Sequence, residues 1–177
     1  KKIESIINNG ELVSDDVANR LIEKIVSDPD NFNRLIFDGY PRTMSQIYSL
    51  EKILKKFNQK ISIVFSLTVN KDIISKRING RIICDKCSKI FNVYFNPPNS
   101  KNHDCEKKNL TNRTDDNSKT LLIRFDTYVN KTNPILDYYR KKGFLREIDG
   151  NQEIAEIYNK IKGILANIRH WHSAYFL

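Results

Sequence analysis

No apolar run in the 177-residue sequence is long enough to cross a bilayer, so no membrane association is expected. No charged stretch followed by an apolar one opens it, so secretion has no support and a cytoplasmic location is expected. Cysteine is scarce: Cys84, Cys87 and Cys105 are the whole complement. An odd count without a secretion signal argues against a disulfide scaffold. Acidic residues are in deficit, with 21 Asp and Glu against 30 Lys and Arg, for a net charge of +9. That excess permits nucleic-acid binding and equally suits an enzyme that handles polyphosphates. The basic residues are mostly scattered, often beside acids, so no nucleic-acid partner is expected. What is present, 40% hydrophobic and 29% charged residues, describes an ordinary globular chain. Its length suffices for one domain with a real core, or one domain plus a small insertion.

Periodicity organises the rest. Residues 1–9 read as the end of a helix stopped by Gly10, and Ser14 as the N-cap of a helix with Asp15 and Asp16 in its first turn. Leu35, Ile36 and Phe37 read as a short strand in the middle of a sheet, broken at once by Asp38, Gly39 and Pro41. A helical pattern covers 43–57, a β-branched strand 61–67, and a short helix 71–78 ending at Gly80. Residues 81–117 hold all the cysteines and Pro97-Pro98, and are too long for a plain connection, so they read as an inserted subdomain. Helical spacing returns over 118–142 with a break near Asn133-Pro134, then a strand at 144–148 and a helix at 152–168. The order predicts an α/β fold with a parallel sheet. Ligands of such sheets bind beyond the carboxyl ends of the strands, which makes the end of LIFDGYPRT at 35–43 a site loop with Arg42 aimed at an anion.

Arg42, Arg77, Arg81, Arg113 and Arg124 come from different elements. Guanidinium groups make forked bonds to phosphate oxygens, and phosphoryl transfer asks mainly for positioned cations. Two readings of Asp38 stand, a Mg²⁺ partner or a turn cap. Asp115 and Asp116 read as partners for nearby arginines that latch the insertion. Cys84-Asp85-Lys86-Cys87 is half of a tetrahedral metal site, and His103-Asp104-Cys105 offers two more donors. The His-x-Cys spacing is tighter than usual, so an unfilled knuckle stands beside the metal reading. So small a subdomain would draw much of its folding energy from a metal.

These residues also carry a family likeness. GELVSDDV at 10–17, FDGYPRTMSQ at 37–46, KRINGR at 76–81, CDKC at 84–87 and YFNPP at 94–98 resemble a bacterial adenylate kinase of the long-lid, zinc-containing type. NRTDD at 112–116, RFDTYVNKTNPILDYY at 124–139 and IDG at 148–150 complete the set. The resemblance implies reversible phosphoryl transfer from ATP to AMP giving two ADP, with Mg²⁺ and a structural Zn²⁺, in a monomer. It implies a three-layer α/β/α nucleoside monophosphate kinase core over 14–80 and 118–168. The AMP-binding region would survive in 1–13, the lid would span 81–117, and 169–177 would be an extension. Glu11, Leu12, Val13, Gly39, Tyr40, Pro41, Arg42 and Gln46 would line the AMP site, with Arg42 on the phosphate and Gln46 on the adenine. Arg77 and Arg81 would meet the ATP phosphates, and Ile90 and Phe91 would flank its base. The Gln152 carbonyl would approach that base. Arg113 and Arg124 would serve the transferring group and AMP, Asp38 the magnesium, and Asp115 and Asp116 lid closure. The metal set would be Cys84, Cys87, His103 and Cys105.

Three departures from the family pattern follow. No G-x-x-x-x-G-K stretch occurs, so an N-terminal strand and phosphate loop are expected to be missing. The 177-residue chain alone is therefore expected to be weakly stable and nearly inactive. The second metal pair aligns as Asn102 and Cys105, with His103 the better donor. The last stretch, ANIRHWHSAYFL, is expected to be a helical extension, an oligomer contact or a readthrough product. A zinc-knuckle module for nucleic acid and a non-catalytic nucleotide sensor are the competing classes.

Overall fold

The computed structural model describes residues 12–113, 116–168 and 173–176. They form two compact units, Val13–Val69 with the residues from Thr127 onward, and Asn70–Asp126 with Leu12.

In the first unit, α1 (Asp15–Val26) carries Asp15 and Asp16 in its first turn and Lys24 in its last, each on the side its helix dipole favours. Ser14 occupies the N-cap position without a side-chain capping bond. Strand β1 (Leu35–Asp38) leads through the site loop to α2 (Met44–Lys56), whose start is fixed by Thr43 accepting the Gln46 backbone N–H. Strand β2 is Ile63–Thr68. A π-helical segment, Tyr128–Thr132, runs into α5 (Asn133–Lys141), which accounts for the irregularity expected at Asn133-Pro134. Strand β6 (Leu145–Asp149) and helix α6 (Ile154–Ala166) follow, then β7 (Ser173–Phe176).

All four strands are parallel, in the order β1-β7-β2-β6. The alternation of β2 divides the core. Val64 joins Ile47, Leu50, Leu54, Ile135 and Tyr139 on the side of α2 and α5. Ile63 and Phe65 join Ile148 and the Ile157–Ile161 stripe of α6 on the other. Side chains on both faces of a strand need helices on both faces, which is the three-layer arrangement.

Two expectations fail here. Among the described residues β1 ends the four-strand order and Ile36 is 58% exposed, so there it is an edge strand rather than a mid-sheet one. Residues 173–176 are a strand rather than a helical extension: they pair with both β1 and β2, Leu35 opposite Ser173 and Ile63 opposite Ala174. An apolar run that short reads equally well as helix or strand, and only its partners decide. His170, Trp171 and His172 lie outside the described residues.

The second unit holds α3 (Lys71–Asn79), an antiparallel sheet β4-β3-β5, and α4 (Ser118–Thr127). Its strands are β3 (Arg81–Cys84), β4 (Ile90–Asn92) and β5 (Leu110–Thr111). Among the described residues of 81–113, the buried side chains are those of Cys84, Phe91 and His103. That is too little apolar area to fold a subdomain unaided.

Candidate functional site

The loop after β1 is built around Gly39. Its φ of +69° is a conformation that L side chains rarely adopt, and a Cβ there would lie 2.7 Å from Arg42 Nη2. Arg42 Nε donates to the Gly39 carbonyl at 2.7 Å, so the guanidinium folds back over the one residue that leaves it room. Tyr40 and Pro41 are buried behind it, while the Arg42 side chain is exposed. The Arg42 carbonyl accepts from the Thr132 hydroxyl at 3.2 Å, which ties the loop to the π-helical segment. Asp38, at the carboxyl end of β1, is exposed.

Gln46 is held at every polar atom. Its side-chain Oε1 accepts the Arg42 backbone N–H at 2.6 Å, and its Nε2 donates to Asp15 Oδ1 at 2.8 Å. Thr43 Oγ1 donates to the other Asp15 oxygen at 3.3 Å. The Tyr40 hydroxyl donates to Asn19 Oδ1 at 2.6 Å. Burial first, and the Asp15 charge second, push the Tyr40 hydroxyl up to about 12, so it remains a neutral donor. Sequence reasoning does not find Asn19 and Thr132, and it marks Asp15 only as a first-turn acid. One signal was available: Thr43-Met44-Ser45-Gln46 has the spacing of a capping box, which draws a glutamine side chain back over the helix start.

In the second unit, Arg77 lies in the last turn of α3 with its guanidinium carbon 5.9 Å from the Phe95 ring centroid. Gly80 joins α3 to β3 where a Cβ would meet Tyr94 and Asn92 under 3.0 Å. Arg81 Nε lies 3.5 Å from Asp116 Oδ2, and the Asp116 side chain is 2% exposed. Neither Asp116 oxygen has a hydrogen-bond partner, and the charge of Arg81 faces this buried carboxylate. Arg113 is exposed and Arg124 sits in α4. The structure thus collects Arg77, Arg81, Arg113 and Arg124 in one unit and Arg42 in the other. Ile90 is 63% exposed, whereas the Phe91 ring is buried edge-on to His103 at 4.9 Å. Of that pair, only Ile90 offers its side chain to a ligand.

The knuckle brings Cys84, Cys87, His103 and Cys105 together, with their donor atoms all within 4.8 Å of one another. Cys84 ends β3, and the tight turn behind it is closed by Ser88 N–H to the Cys84 carbonyl at 2.8 Å. Burial opposes ionisation of Cys84, but the N–H groups of Cys87 and Lys86 and the His103 ring outweigh it and bring the thiol down to about 6. Burial and the neighbouring Cys87 and Cys84 sulfurs push Cys105 up to about 11. His103 Nε2 is buried with no hydrogen-bond partner. Asn102 is committed elsewhere: its Oδ1 accepts the Asn99 N–H at 2.8 Å and its Nδ2 donates to the Pro97 carbonyl at 3.1 Å. Three sulfurs, one orphaned imidazole nitrogen and a closed turn fit a tetrahedral metal ion.

Leu12 and Val13 are half-buried before α1. Gln152 follows Gly150, whose N–H donates to the Thr68 carbonyl at 2.8 Å and whose Cβ, if present, would meet Val69 at 2.7 Å. Glu11 and Asp115 lie outside the described residues. Among the described residues no helix is long and apolar enough to cross a membrane.

Comparison with known proteins places these features in a family. Residues 1–144 match the model of the family described as adenylate kinase. The chain is 44% identical over 163 residues to an adenylate kinase of Pelagibacter ubique (strain HTCC1062), covering 92% of this chain and 76% of that protein. It is 34% identical over 168 residues to one from Bacillus subtilis (strain 168), covering 94% and 77%. An Archaeoglobus fulgidus adenylate kinase matches at 35% over 171 residues, covering 96% and 78%.

Proposed function

The chain belongs to the adenylate kinase family, enzymes that reversibly move the terminal phosphoryl group of ATP to AMP, and from that membership we propose how its residues divide the work. AMP is held by the loop after β1. Arg42 takes its phosphate, Gln46 reads its adenine, and Gly39, Tyr40 and Pro41 shape the wall with Leu12 and Val13. Glu11 belongs to the same wall.

Arg77 and Arg81 bind the ATP phosphates, and Arg113 and Arg124 stabilise the group in transit and the AMP phosphate. Such transfer needs fixed cations more than a nucleophile, because charge spreads over the equatorial oxygens of the moving group. Asp38 is the carboxylate that would hold Mg²⁺, directly or through water, and the ion would offset the charge of the ATP phosphates. Ile90 packs on the donor base, and the Gln152 carbonyl completes that contact. Residues 81–117 act as the lid. Asp116, buried against Arg81 with unsatisfied oxygens, acts with Asp115 in its closure, which excludes water and suppresses hydrolysis. Cys84, Cys87, His103 and Cys105 would hold Zn²⁺, which would supply the folding energy that the lid's small core lacks. The enzyme works as a cytoplasmic monomer without a nucleic-acid partner.

The observation that carries the AMP assignment is the Gly39–Gln46 loop. One glycine makes room for a guanidinium, and one glutamine amide is fixed beside it. The test is calorimetric AMP titration together with a coupled assay of ADP formation from MgATP and AMP. Arg42→Ala is expected to weaken AMP binding at least about tenfold, the loss of a charge-assisted bond to phosphate. AMP binding unaffected by that change would refute the assignment.

A further inference from the structure

A glutamine amide has chemically opposite ends, so what it reads depends on which end points where. At Gln46 the choice is forced from both sides. The Asp15 carboxylate can only accept, and it takes Nε2–H at 2.8 Å. The Arg42 backbone N–H can only donate, and it gives to Oε1 at 2.6 Å. Turning the amide over would set oxygen against carboxylate and nitrogen against N–H. Gln46 is 3% exposed, so bulk water would not relieve either clash. Asp15 is in turn held by the Thr43 hydroxyl at 3.3 Å, and the helix that carries it also receives Tyr40 through Asn19.

We propose that Asp15 is a positioning residue that sets base specificity by locking the Gln46 amide. This rests on the reading that Gln46 faces the AMP base. With one Nε2 hydrogen and one Oε1 lone pair already used, the amide keeps one donor and one acceptor in a fixed order. A 6-aminopurine presents the complementary pair, its N6–H donor beside its N1 acceptor. A 6-oxopurine presents O6 as acceptor and N1–H as donor, the reverse pair, and meets the locked amide donor to donor and acceptor to acceptor. The backbone N–H of Arg42 enforces the same order but is common to any residue there. Asp15 is the side chain that makes the lock specific.

The test is calorimetric titration of the full chain with AMP and with IMP, which share ribose and phosphate and differ at this edge. Asp15→Asn keeps the shape but lets the new amide present either end, so the AMP-to-IMP affinity ratio is expected to fall about tenfold, the worth of one hydrogen bond. Asp16→Asn removes an equal charge from the same helix turn and is expected to leave the ratio unchanged. A ratio preserved in Asp15→Asn, or both affinities lowered equally, overturns the proposal. Gln46→Leu separates the two readings. If it leaves AMP affinity intact, the assignment of Gln46 to the base fails. If it lowers the ratio while Asp15→Asn does not, only the locking role fails. Should Asp15→Asn not fold, the ¹⁵N–¹H spectrum of the unsubstituted protein decides. A Gln46 side-chain amide with well-separated, exchange-protected protons supports the lock, and a rapidly exchanging pair overturns it.

Discussion

Substituting Gly39 separates backbone strain from ligand recognition at a single atom. Its φ of +69° costs an L residue about 1–2 kcal/mol. Gly→Ala also narrows the unfolded ensemble, which returns about 0.4–1 kcal/mol. The net expectation for Gly39→Ala is a loss of about 1 kcal/mol, a fall in Tm of about 2–4 °C for a chain this size. The larger effect is functional. The new Cβ would sit 2.7 Å from Arg42 Nη2, well inside ordinary contact. A side-chain end moves more cheaply than backbone, so the guanidinium shifts and gives up its 2.7 Å bond to the Gly39 carbonyl. A guanidinium so displaced no longer makes its charge-assisted bond to the phosphate, worth about 1.5–3 kcal/mol, so AMP affinity should fall about 10- to 100-fold. Gly39→Asn carries the same Cβ but tolerates positive φ better. It should regain most of the lost stability and none of the affinity. Thermal unfolding by circular dichroism reads the first quantity and AMP titration the second. If both variants bind AMP within about twofold of the parent, the guanidinium is not placed by this loop and the reasoning fails.

Other expectations concern the lid, the buried tyrosine and the core. Purified protein should carry one zinc through the Cys84, Cys87, His103 and Cys105 cluster, and His103→Ala should lower that stoichiometry. Atomic absorption checks this, and an unchanged value of one would exclude His103 as an essential ligand. Chelation should lower Tm, with the loss confined by hydrogen exchange to residues 81–113. Tyr40, pushed up to about 12, contributes stability that is fully present below the ordinary tyrosine value near 10 and is lost as pH rises through about 12. Denaturant midpoints measured over that window should fall in the parent and stay flatter in Tyr40→Phe. Phe65, fully buried between β2 and α6, should cost about 3–5 kcal/mol when cut to Ala. Ile36→Ala, at a side chain 58% exposed, should cost far less in the same urea titration.

Much of the fold was legible because local patterns carried it. The β-branched run of β2, the helical stripes of α2 and α6, and the breakers Asp38-Gly39 and Asp149-Gly150 are one-dimensional signals of burial and turning. The loop after β1 was legible for the same reason, since glycine and proline at a strand end break the strand pattern. Three features were not. Asp15 is an unremarkable first-turn acid until α2 brings Gln46 to it. Residues 173–176 have no local mark of a sheet strand, and Ile36 has no local mark of exposure.

By itself the sequence determined the chemical inventory: five arginines on separate elements, three thiols and an imidazole in one insertion, and a glutamine three residues after a capping threonine. Tertiary structure alone decided which partner each end of that glutamine takes and which strands flank β7. The physical reason is one of range. Propensity and periodicity act within a few residues and state only that a face is apolar or a turn is favoured. Hydrogen-bond direction, ligand geometry and strand order are set by groups far apart in the chain, which acquire their partners only when the chain has packed.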